Sequence, residues 1–112
     1  WLKRGGALVC SMEHPVFTAS GPQDWDYAPD GSIRHFPVDR YFEEGEREAI
    51  FLGERVIKYH RTLTTIVSAL FASGLRLTGL VEPQPPEDML DLPGMRDEMR
   101  RPMMLLLSAE KA

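Results

Sequence analysis

Several features that would point at once to a function are missing from this sequence. There is one cysteine, Cys10, so no internal disulfide can form, and a reducing, cytoplasmic setting is the simplest expectation. Cys10 sits within an apolar run and is expected to pack as a small buried hydrophobe. No apolar run approaches the roughly 20 residues that span a bilayer, and no secretory signal pattern is present. Positive charge is not in excess. Against 13 Lys and Arg stand 17 Asp and Glu, a net charge of −4, which argues against a general nucleic-acid footprint. Glu13, His14, His35 and His60 are ligand types, yet their spacing matches no zinc pattern, and no metal site is expected. Ser11 and Cys10 lack the strand-to-helix turn of a nucleophile elbow. Internal repeats, low-complexity segments and a G-x-G-x-G loop are also absent. What remains is 112 residues of ordinary composition, 43% hydrophobic and 27% charged, near the usual size of one globular domain.

The strongest positive signal lies between Lys58 and Leu75. Leu63, Ile66, Val67, Leu70 and Phe71 fall at i, i+3, i+4, i+7 and i+8, one stripe of an amphipathic helix. Thr62 suits its N-cap, and Gly74 suits the left-handed residue past its last turn. The polar cluster Tyr59-His60-Arg61-Thr62 precedes it. A helix start presents free N–H groups, so this cluster can face a ligand, or equally can end a strand and brace the turn.

Before the helix, Ala7 to Met12 is a short, nearly continuous apolar run, as in a strand buried on both faces. Pro15 stops it and holds His14 extended. Ligands in open α/β sheets sit beyond the carboxyl ends of strands, which places Glu13 and His14 where a substrate would bind. Residues 16–30 read as a long irregular loop carrying Trp25 and Tyr27. Ile33 to Phe42 and Ile50 to Tyr59, the second interrupted at Gly53, read as an antiparallel arm with an acidic turn at Gly45. After the helix, Leu75 to Val81 is a strand stopped by Glu82-Pro83. Residues 95–100 suit one or two helical turns, with Arg96, Arg100 and Arg101 paired to Asp97 and Glu98 along one face. Met103 to Ala109 is a last strand, and the connection from Pro83 to Pro102 is long enough to make the final two strands antiparallel.

The order is strand, insertion, helix, strand, irregular connection, strand. With it come Leu2-Lys3-Arg4-Gly5-Gly6 before the first strand, Ser73-Gly74-Leu75 after the helix and the Glu82-Pro83 corner. Together these resemble the C-terminal half of class I S-adenosylmethionine-dependent methyltransferases of the small-molecule type. There an L-x-P-G-G turn leads into the fifth strand, and Arg4 stands here in place of the usual Pro. The resemblance implies an α/β fold: the C-terminal part of a Rossmann-like sheet, with three strands, one main helix, an inserted β arm within residues 16–60 and an antiparallel last strand. It implies a single partial domain over residues 1–112. It also implies that the cofactor-binding elements lie in an N-terminal half that this chain lacks. S-adenosylmethionine is then the cofactor of the intact family member, and none is expected on this chain alone. The absence of an initiator Met before Trp1 fits a fragment.

By the same resemblance, Glu13, His14, Arg40, Tyr41, Tyr59 and His60 line the pocket of a small-molecule methyl acceptor, with Trp25 as a lid residue. His14 or His60 is the expected base, because an unperturbed imidazole titrates near neutrality. Two non-catalytic alternatives remain open: an α+β module that holds a small apolar ligand, and a dimerisation module. A three-stranded remnant would expose the edge of Ala7 to Met12, and a homodimer through that edge is expected.

Overall fold

The computed structural model describes residues 3–20 and 23–112. The central sheet holds β1 (Ala7–Glu13), β6 (Leu75–Val81) and β7 (Met104–Lys111) in the order β1-β7-β6. Strand β7 is antiparallel to both neighbours, with Cys10 opposite Leu107 on one side and Leu80 opposite the same residue on the other. Strands β1 and β6 are therefore parallel to each other. They are joined through the arm and helix α2 (Leu63–Ala72). This is the α/β arrangement with an antiparallel last strand expected from the sequence. The core follows the middle strand, where Leu105, Leu107 and Ala109 are buried on one face. Leu2 of the turn before β1 lies outside the described residues. The turn itself is present, with the Gly6 N–H donating to the Lys3 carbonyl at 2.7 Å.

Helix α2 starts and stops where its sequence says. The Thr62 side chain accepts from the Thr65 N–H at 3.2 Å, and Gly74 takes φ +77°, which a side chain would resist. None of the ten helical residues is buried, even though the apolar stripe is present.

Five expectations need correction. Strand β1 is not buried on both faces; its residues alternate, and Val9 is 77% exposed. Residues Ile66, Ala69 and Leu70 of α2 share a cavity with Cys10 and Met12 on one face of this strand, and Ala7, Val9 and Ser11 on the other face are exposed. Cys10 is accordingly half-buried. The loop after β1 opens with a helical turn, α1 (Pro15–Ala19), capped by His14, because a proline at the first helical position costs no hydrogen bond. The arm also uses different strands. Strand β4 (Gly45–Phe51) pairs with β5 (Glu54–His60), whereas β2 (Asp26–Tyr27) pairs with β3 (Ile33–His35) in a separate small ribbon. Gly53 is not an interruption but half of a two-residue turn. Leu52 and Gly53 have φ of +52° and +81°, the mirror-image turn that matches the twist of a hairpin.

The arm makes the molecule long. Its extents are 56 × 35 × 22 Å, and the radius of gyration is 16.5 Å, against about 13 Å for a compact domain of similar size. Among the described residues, no helix is long and apolar enough to cross a membrane.

Candidate functional site

Three elements meet beyond the carboxyl end of β1: helix α1, the root of the arm and the start of α2. The join is made by two buried histidines. His14 accepts from the Val16 N–H through Nδ1 at 3.0 Å, so its Nε2 carries the proton and donates to the Glu82 carboxylate. This ties the end of β1 to the end of β6. His60 has no exposed surface. Its Nε2 lies 2.7 Å from the Tyr41 carbonyl, an acceptor only, and so donates to it. Its Nδ1 meets the Thr18 hydroxyl at 2.7 Å. A base needs a lone pair facing its substrate. Both nitrogens of both rings are engaged within the chain, and the geometry gives both residues a bracing position.

The start of α2 is closed in the same way. The Tyr41 hydroxyl accepts from the Leu63 N–H at 3.0 Å, and Glu44 accepts from the Thr62 N–H at 3.0 Å. Hydrogen bonds from the Thr65 and Thr62 sides hold the Glu44 carboxyl below its ordinary pKa. Within the Tyr59 to Thr62 cluster, His60 and Thr62 brace this turn, while Tyr59 and Arg61 line a cavity.

An open cavity of about 500 Å³ lies between β1 and α2. Cys10, Met12 and Leu107 form its floor, and Ile66, Ala69 and Leu70 form one wall. Its polar end holds Glu13, Thr18, Lys58 and Tyr59. The Lys58 ammonium sits 3.0 Å from both oxygens of Glu13, and the Gln23 amide donates to the same carboxylate at 3.4 Å. Tyr59 is 61% exposed, with its hydroxyl 3.4 Å from Glu46.

The structure thus brings Glu13 and Tyr59 to one cavity mouth, with His14, His60 and Tyr41 among the packing around it. Arg40 and Trp25 are elsewhere. Arg40 is in an exposed turn at φ +49° and pairs with Glu43. Trp25 packs edge-on against Phe36 and over the guanidinium of Arg101 at 4.7 Å. Arg101 is buried among Phe17, Trp25 and Phe36 and is held by Glu98 at 2.8 Å, so Trp25 serves a packed cluster and forms no part of the cavity wall.

Lys58 and Arg47 were not singled out from the sequence. Both lie on the face of the arm shared with Ala49 and His60. Arg47 stands between Gly45 and Ala49 on that face and Lys58 between Val56 and His60, a local pattern that does not by itself mark either residue. The Arg47 guanidinium is 5% exposed and donates to the carbonyls of Ala19 (2.8 Å), Asp39 (3.4 Å), Glu43 (2.9 Å) and Arg40.

No glycine lines the cavity, and the one long helix start is capped by the chain's own side chains.

No protein-family profile matches the chain. An uncharacterized protein of Haemophilus influenzae is 27% identical over 115 residues, which takes in 98% of this chain and 44% of that protein. Two solved structures are similar. One, from Listeria monocytogenes, is provisionally described as an S-adenosylmethionine dependent methyltransferase; it is 52% identical and superposes with a TM-score of 0.91 over 99% of this chain and 50% of its own. The other, an S-adenosylmethionine dependent methyltransferase from Mesorhizobium loti, is 37% identical with a TM-score of 0.82, over 97% of this chain and 50% of its own. The chain spans about half the length of the proteins it matches. In fold and in sequence it corresponds to the C-terminal half of a class I S-adenosylmethionine-dependent methyltransferase.

Proposed function

We propose that this chain is the acceptor-side portion of an S-adenosylmethionine-dependent methyltransferase that acts on a small molecule. In this reading the cofactor is bound by a half of the fold outside the chain. The observation that carries it is the 52% identity to the Listeria protein across 99% of this chain, matched to half of that protein. Methyl transfer is an in-line displacement at a sulfonium methyl group, so the protein's share is positioning and handling of the acceptor proton. Glu13, steadied by Lys58 at the carboxyl end of β1, is the group proposed to receive a hydrogen bond from an acceptor hydroxyl or amine. Tyr59 would flank the acceptor, while His14, His60 and Tyr41 hold the walls. The one free thiol suits a reducing, cytoplasmic setting.

The test is calorimetric titration of S-adenosylmethionine and S-adenosylhomocysteine into the 112-residue chain, and then into a chimera that joins the N-terminal half of the Listeria protein to it. The expectation is no heat with the chain and saturable binding with the chimera. Micromolar binding to the chain alone would overturn the divided-site reading. A second reading, a dimerisation module without catalysis, is favoured by the free outer edge of β1, which among the described residues pairs only with β7. It predicts a stable homodimer of the chain by light scattering.

A further inference from the structure

Resting on that reading, we infer that Arg61 binds a carboxylate of the methyl acceptor, which makes the acceptor a small hydroxy or amino carboxylic acid. Arg61 lines the cavity beside Lys58 and Tyr59. It follows the last residue of β5 and precedes the cap of α2. Tyr59 and Arg61 are exposed on either side of the buried His60, at alternate positions of one run.

The guanidinium has nothing in the chain to hold. Every other arginine from Arg34 to Arg101 donates to a carboxylate or a carbonyl. Among the described residues, Arg61 makes no hydrogen bond and no ion pair. The carboxylates around it are taken by other groups. Glu13 holds the Lys58 ammonium on both oxygens and the Gln23 amide on one. Glu44 accepts from the Thr62 N–H at 3.0 Å and from the Thr65 side chain, so Arg61 acts on it only through space. A guanidinium is a planar fork of donors that matches a carboxylate with two parallel bonds. An open fork on a cavity wall, beside carboxylates that are already engaged, is fitted to a carboxylate carried by a ligand.

Charge selects among anions. Glu44 acts on Arg61, and Glu46 lies 3.4 Å from the Tyr59 hydroxyl, so negative charge already stands at this end of the arm. A phosphate group carries a charge of about −1.5 to −2 and is repelled there more strongly than a carboxylate, which carries one. Spacing sets the size. Lys58, which steadies Glu13, and Arg61 are three residues apart in an extended run, about 10 Å at the rise of a strand. With Glu13 receiving the acceptor's hydroxyl or amine and Arg61 its carboxylate, the body between them is one ring or a short chain lying against Tyr59.

The experiment uses the Listeria chimera, loaded with S-adenosylhomocysteine and isotopically labelled at its arginine side chains. Para-hydroxyphenylacetate, para-aminobenzoate and γ-hydroxybutyrate are titrated, each beside its own primary amide, and the Arg61 Nε–H signal is followed by NMR. The expected result is that at least one acid shifts that signal and binds about tenfold or more tightly than its amide, the scale of a charged hydrogen bond. Arg61→Gln erases the preference and leaves the melting temperature unchanged, as an exposed side chain without a hydrogen bond should. Arg61→Lys restores part of it, because a point charge cannot make the paired bonds. No preference for any acid, or a preference that survives Arg61→Gln, overturns the inference. A melting temperature that falls with Arg61→Gln overturns it in favour of a bracing role. Inorganic phosphate that binds through Arg61 more tightly than every acid overturns the choice of a carboxylate. A chimera that binds S-adenosylhomocysteine but shows no preference overturns the inference and leaves the methyltransferase reading standing. A folded chimera that keeps the preference but binds no S-adenosylhomocysteine overturns that reading and leaves the carboxylate site.

Discussion

Replacing Arg47 with Met should loosen the root of the arm by about 3 kcal/mol, and the figure can be worked from its four partners. The Ala19 carbonyl lies under a residue that is 1% exposed, so water cannot replace the guanidinium there. An orphaned buried acceptor costs about 1–3 kcal/mol. Asp39, Arg40 and Glu43 belong to exposed turn residues, and their carbonyls can regain water, so losing those bonds adds only about 1 kcal/mol together. The methionine stem keeps part of the packing, and removing the charge removes its desolvation cost. For a chain of this size the sum corresponds to a fall in melting temperature of roughly 12 °C or more. Chemical denaturation measures the loss, and hydrogen exchange locates it: the amides of β4 and β5 should lose protection before those of β7. Arg47→Lys keeps the charge but cannot reach four carbonyls at once, and should fall between the two. A loss below about 1 kcal/mol for Arg47→Met, with arm protection unchanged, would refute the idea that this guanidinium holds the arm in place.

Three further outcomes follow from the same geometry. His60→Ala removes a fully buried bridge between Thr18 and the Tyr41 carbonyl, and should cost about 3 kcal/mol by urea unfolding; a near-neutral variant would show the bridge to be dispensable. The folded-state pKa of Glu44 is lowered, so its contribution is complete above the ordinary value of 4.5 and is lost as pH falls through the folded value. Melting temperatures of the parent and Glu44→Gln should therefore differ at pH 7, with the difference shrinking as pH falls below 4.5, and a difference that stays constant through the whole acid range would sink the assignment. A Cβ on Gly79 would sit 2.7 Å from the Ser108 hydroxyl oxygen. Gly79→Ala should thus destabilise in the parent and be partly rescued by Ser108→Ala, as measured by a double-mutant cycle.

Much of the fold was written locally. The i, i+3, i+4 stripe, Thr62 and Gly74 define α2 without help from the rest of the chain, since caps and periodicity act within a few residues. Glu82-Pro83 ends β6 by the same local logic, and the run at the C-terminus forms β7. The pairing within the insertion was not legible, because Leu52-Gly53 shows itself as a turn only once Phe51 stands opposite Glu54. The cavity mouth was half legible. Glu13 could be placed by its position at a strand's end, and Tyr59 by the arm. Lys58 and Arg47 could not, because which face of a two-stranded ribbon turns inward depends on what it packs against.

The sequence by itself determined where the main helix and the three sheet strands lie, and that the whole resembles half of a methyltransferase. Only the tertiary structure decided which atoms surround the histidines. An imidazole at a strand end is equally suited to catalysis or to bracing, and the choice depends on which atoms surround it. Here Val16, Glu82, Thr18 and Tyr41, up to 68 residues away in sequence, engage every ring nitrogen of His14 and His60. Burial was likewise settled by the fold alone: β1 reads as a core strand from its residues, yet it lies open because a strand is buried only by layers packed on its faces and by neighbours on its edges.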